Sequence, residues 1–105
     1  MNKKIYSMIG LCMRAGMLAY GSDMCEEKTK YGKVRMIIVA CDASDNTKNK
    51  FKKLCNKNVI YVEFGTIDEI SHAIGKENKA VIGVLDSNFC KKINEMVIEL
   101  KGAKN

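Results

Sequence analysis

The chain has 105 residues, 47% of them hydrophobic, with a formal net charge of +6 at neutral pH. That length and apolar content predict one small domain spanning residues 1–105 with a real core, and no apolar run reaches the length of a membrane span. The excess of lysine and arginine favours polyanion partners and carries no preference for sequence or shape.

Taken in order, Asn2 can cap a first helix, in which Ile5, Met8, Ile9 and Cys12 recur at helical spacing and form one apolar face. Gly16 stands where a helix-stop glycine is expected, and Arg14 suits the negative end of the helix dipole. Met17 to Tyr20 reads as a short edge strand. A second helix runs from about Ser22 to Tyr31 and stops at Gly32. Ser22 or Asp23 is its expected cap, Asp23, Glu26 and Glu27 lie near its positive end, and its thin apolar face is Met24, Cys25 and Tyr31. A helix start opened by Gly21-Ser22 offers unpaired N–H groups and the positive end of a dipole, which suit a phosphate.

Met36 to Cys41 is a continuous apolar run, too short for a helix that is apolar all round. It reads as a central strand covered on both faces, with Cys41 as a small core residue. Asp42 to Asp45 supply turn and cap residues. The third helix then runs to about Asn56 with Phe51, Leu54 and Cys55 inward, and Lys48, Lys50, Lys52, Lys53 and Lys57 form a solvated face. Val59 to Val62 is a second buried strand. Thr66 and Glu69 have the spacing of a capping box, Ile67, Ile70 and Ile74 make a buried stripe, and Gly75 closes that helix. His72, the single histidine, is expected on its surface. After the polar loop Lys76 to Lys79, Ala80 to Leu85 is the third strong strand. Asp86, Ser87 and Asn88 cap a last helix with Phe89, Ile93, Met96, Val97 and Leu100 on one face, ending near Lys101-Gly102. Helices alternating with buried strands predict a three-layer α/β/α sandwich around a mixed, mostly parallel sheet.

No catalytic constellation emerges. Gly75-Lys76 supplies only the end of a P-loop, since Ile70 occupies its first glycine position and Glu77 follows the lysine. No two glycines have the G-x-G spacing, and G-x-S-x-G is missing. The pairs Glu26/Glu27 and Asp68/Glu69 are helix neighbours about 100° apart, so neither converges on one atom. The five cysteines are widely spaced without C-x-x-C, which argues against a disulfide framework or a zinc site and suits a reducing compartment. The basic start at Lys3-Lys4 leads into a broken apolar stretch carrying Arg14, so a signal peptide is not expected and the cytoplasm is.

The order of segments resembles the kink-turn-binding ribosomal protein family, and especially its short bacterial YlxQ-type branch. The resemblance rests on Gly10 to Leu18, on Gly21, on Val39 to Lys48, on Ala73 to Glu77, and on Val81 to Phe89. It implies an α/β/α domain, RNA binding without catalysis or cofactor, association with ribosomes, and a monomer. It places the RNA surface at the start of the second helix, here Gly21, Ser22, Asp23, Met24 and Glu27, and at the loop before the last strong strand, here Lys76, Glu77, Asn78, Lys79, Ala80 and Val81. Arg14 and Lys28 are further expected phosphate contacts, with Met24, Ala80 and Val81 packing on an unstacked base. Three positions depart from the family pattern: Asp23 stands in the place of an Asn, Met24 of a Glu and Glu27 of a Lys. Asp23 cannot donate as an amide would, and Met24 can only pack. Contact led by the backbone at Gly21 is therefore expected. A protein–protein adaptor that kept the fold and lost its RNA site is the alternative those acidic residues suggest.

Overall fold

The computed structural model describes residues 3–102, so the expected cap at Asn2 lies outside the described residues. Five helices and four strands follow one another in these residues: α1 (Lys3–Arg14), β1 (Leu18–Tyr20), α2 (Ser22–Lys30), β2 (Met36–Val39), α3 (Asp45–Leu54), β3 (Ile60–Glu63), α4 (Ile67–Ile74), β4 (Val81–Val84) and α5 (Ser87–Gly102). The strands form one sheet in the order β1-β4-β2-β3. Helices α1, α4 and α5 pack together on one side, and α2 packs with α3 on the other, giving the expected three layers.

The apolar runs form the middle of the sheet. Every residue of β2 and β4 is buried, and Met36, Ile37, Ile38, Val39, Val81, Ile82 and Val84 are each fully shielded from solvent. The sheet is mixed, as expected, with three of its four strands pointing the same way. β2 and β3 pair in parallel and β1 shares their direction, while β4, between β1 and β2, runs antiparallel to both. Burial on both faces makes a strand apolar, and helices on both faces impose that burial whatever the strand direction.

Helix ends follow the sequence closely. Ser44 accepts from the Thr47 amide at 3.1 Å. The capping box is complete, with Thr66 Oγ1 accepting from the Glu69 amide at 3.1 Å and Glu69 Oε1 from the Thr66 amide at 3.2 Å. At the C-terminal end of α1 the Met17 amide reaches back to the Cys12 carbonyl and the Gly16 amide to Met13, and the same pair of bonds closes α2 at Gly32 and α4 at Gly75. Each such end satisfies carbonyls that would otherwise be left without partners.

Two expectations are revised. Cys41 is exposed, because β2 ends at Val39 and the chain turns there, with the Cys41 amide donating to the Gly65 carbonyl at 2.8 Å. Tyr31 belongs to no buried face, being 72% exposed. The lysines of α3 are also more engaged than a purely solvated face. Lys50 pairs with Glu26 of α2 at 2.7 Å, Lys48 donates to the Cys41 carbonyl at 2.7 Å, and Lys48 and Lys52 approach Glu63 at 3.7 and 3.8 Å.

Candidate nucleic-acid interface

The turn from β1 into α2 is built on Gly21. Its φ of 86° and ψ of 155° lie in a region that a side chain makes costly, and its amide donates to the Val81 carbonyl of β4 at 2.9 Å. Gly21 is itself the N-cap residue, and no side-chain oxygen caps the helix, contrary to the role expected of Ser22 or Asp23. Both residues are exposed. The first turn of α2 therefore offers its amides to solvent or to a ligand.

The loop between α4 and β4 lies against this turn. Asn78 holds a φ of 57°, which lets the loop fold back on itself. Buried Ser71 of α4 fixes the next residue: its Oγ accepts from the Lys79 amide at 2.8 Å and donates to the Lys79 carbonyl at 3.3 Å. The Lys79 side chain then crosses the helix start. A Cβ built on Gly21 would lie 3.8 Å from Lys79 Cδ and 3.9 Å from its Nζ. Lys76 Nζ stands 4.9 Å from the centre of the Tyr20 ring, and Lys79 Nζ 5.9 Å from the same point. Two ammonium groups and the positive end of a helix thus share one small surface. Among the described residues neither lysine takes part in an ion pair, and neither do the exposed carboxylates Asp23 and Glu77.

The remaining candidates sit in different settings. Met24 is half-buried and folds back, its sulfur accepting from the Tyr20 amide at 3.5 Å. Ala80 is half-exposed, and its carbonyl accepts from Ala40 at 2.8 Å. The expectation that Val81 packs on a base is corrected, because its side chain is fully buried in the sheet and its carbonyl is occupied by Gly21. Glu27 is exposed and lines a shallow depression with Asp23, Glu26, Lys30 and Tyr31 along α2. Half-buried Lys28 sits further along that helix. Exposed Arg14 lines a separate groove of about 690 Å³ between α1 and α4, with Lys3, Tyr6, Leu11, Glu69 and His72. The close approach of the two helices there uses Gly10, where a Cβ would come 3.1 Å from the Ala73 carbonyl. Neither Arg14 nor Lys28 is among the groups gathered on Tyr20. Sequence reasoning missed Tyr20 and Ser71. The signal for Tyr20 was an aromatic residue directly before Gly21, whereas Ser71 left no local sign.

The fold and the site together define a class: a small α/β/α domain that opens a helix at a glycine and sets a lysine-bearing loop beside it. The family is fixed by comparison. Residues 3–95 match the Ribosomal protein L7Ae/L30e/S12e/Gadd45 family, and the chain belongs to it. It is 38% identical over 96 residues to the RNA-binding protein YlxQ of Enterococcus faecium, covering 90% of this chain and 92% of that protein. It is 28% identical over 89 residues to the protein of the same name from Bacillus subtilis, covering 84% and 89% of the two chains. A solved structure of a Bacillus halodurans protein of unknown function superposes with a TM-score of 0.85 at 30% identity, over 90% of this chain and 96% of that one. The Giardia lamblia 15.5kD RNA binding protein shares the fold with a TM-score of 0.76 at 16% identity, over 96% and 88% of the chains.

Proposed function

We propose that this protein is a non-catalytic RNA-binding protein of the cytoplasm, acting as a monomer in association with ribosomes. It meets structured, kink-turn-like RNA mainly through backbone amides and phosphate contacts. The observation that carries this reading is the placement of Lys79 Nζ over Gly21, at the uncapped positive end of α2, with Lys76 alongside. Bringing like charges together in this way is unfavourable until an anion arrives, and phosphates along a folded RNA supply one. The two YlxQ relatives, both named RNA-binding proteins, point the same way.

The chemistry of the helix start sets the kind of recognition. Asp23 offers only acceptors when ionised, and Met24 is turned inward. Base edges are therefore read weakly on this helix, and shape and phosphate spacing carry most of the discrimination. A gel-shift series over a range of salt, against a kink-turn and a matched duplex lacking the sheared G·A pairs, tests this. The kink-turn should bind more tightly, with a log–log salt slope of about −0.7 to −0.9 per phosphate contacted. Equal weak binding to both overturns recognition of the kink. No binding to either at low salt overturns RNA binding itself.

A further inference from the structure

We infer that Tyr20 is a positioning residue for RNA phosphate, its ring holding Lys76 and Lys79 together as one doubly charged contact beside Gly21. This rests on the RNA-binding reading above and names a residue within that surface. Both ammonium groups lie within cation–π reach of a single ring, at 4.9 and 5.9 Å from its centre. They come from two places in one loop, and Lys79 is fixed at its backbone by Ser71. Its side chain then approaches the positive end of α2. Repulsion from the helix end and between the two ammonium groups should spread these lysines into solvent. No carboxylate pairs with either among the described residues. The Tyr20 ring is therefore the attraction the structure offers in compensation. Its strand holds it rigidly: Tyr20 is paired with Ile82 across β1 and β4, and its amide donates to Met24. Lysine is a flexible point charge that loses considerable rotamer freedom on binding phosphate. A ring that restricts both lysines beforehand reduces that loss.

The test is a mutant cycle read by fluorescence anisotropy with the kink-turn RNA at low salt, each variant being checked for folding by thermal melt. Tyr20→Leu should weaken binding on the order of five-fold, while Tyr20→Phe, which keeps the ring, should stay within about two-fold of the parent. The Lys76→Met/Lys79→Met double variant should make the salt slope shallower by about 0.7 to 0.9 per lysine, whereas Tyr20→Leu, which keeps both charges, should leave the slope close to that of the parent. In the double-Met background Tyr20→Leu should cost nothing more. An equal cost there would mean that the ring touches RNA directly and would overturn the positioning role. So would Tyr20→Leu binding as tightly as the parent. In the free protein, NMR should show the ε-methylene protons of both lysines shifted upfield by the ring in the parent and Tyr20→Phe, and not in Tyr20→Leu. Unshifted methylenes in the parent overturn the inference without touching the RNA reading. A parent protein that binds neither RNA overturns that reading, and the inference with it.

Discussion

Replacing Gly21 by Ala should damage both the fold and the interface, for a reason that can be separated from simple crowding. The space is there: the new Cβ would sit 3.8 Å from Lys79 Cδ, an ordinary contact. The backbone is the obstacle, because φ 86° with ψ 155° belongs to a region that residues with a Cβ rarely occupy. The cost should be about 1–3 kcal/mol. In a domain of this size each kcal/mol lowers the melting midpoint by roughly 4–8 °C. A helix start that relaxes to an allowed conformation would also turn its amides away from a phosphate bound there. Losing one such charge-assisted contact should cost RNA affinity on the order of ten-fold or more. Gly32→Ala is the control. Its φ of 73° is also strained for alanine, with nothing within 4 Å of the new Cβ, and it lies at the other end of α2. It should lose stability by about 1–2 kcal/mol and keep its RNA affinity. The assays are a thermal melt and the salt-controlled gel shift. A Gly21→Ala protein that melts within about 1 °C of the parent would refute the strain argument. One that is destabilised but binds RNA as tightly as the parent would refute the role of the helix start.

Phe51→Ala should cost about 3–5 kcal/mol in urea unfolding, because Phe51 is the largest fully buried side chain described and its removal leaves a cavity. A loss below about 1 kcal/mol would show that α3 repacks freely. In the native protein Cys41 should react with a thiol reagent first. Burial pushes the Cys12 and Cys25 thiols up to about 12, so they should react only on unfolding. Rapid native labelling of Cys25 would contradict its burial. Glu63 is held below its ordinary value near 4.5 chiefly by the hydrogen bond from Tyr61, with Lys48 and Lys52 adding to it. A lowered folded value means that its stabilisation is present above about pH 4.5 and is lost as the pH falls through that lowered value. Glu63→Gln should flatten that part of the acid limb of a stability–pH curve, and an unchanged limb would remove Glu63 from the account.

Much of the fold was legible because its signals are local. Six apolar residues from Met36 are too few for a buried helix, and Thr66 with Glu69 states a helix start in two side chains. Gly16, Gly32 and Gly75 mark helix ends because few residues accept the turn that follows. Which strand is reversed was not legible, since the burial of β4 is the same whichever way it runs against β2. Cys41 was misread for a related reason: an apolar run does not show at which residue the chain leaves the sheet. At the site, the glycine before α2 and the lysines before β4 were visible as separate segments. Their meeting depends on β1 and β4 being neighbours, through which Tyr20 and Lys79 come together. Val81 illustrates the opposite case, a residue in the right segment whose side chain is buried because its strand is covered on both faces.

The most direct measurement is an NMR titration of the isotopically labelled protein with kink-turn RNA, followed at every backbone amide. The largest changes should fall on Gly21, Ser22 and Asp23 and on residues 76–80, and should fade as salt is raised. Changes confined to the Glu26–Glu27–Tyr31 side of α2 or to α5, or no change at all at low salt, would contradict this interface and return the acidic face of α2 to the adaptor reading.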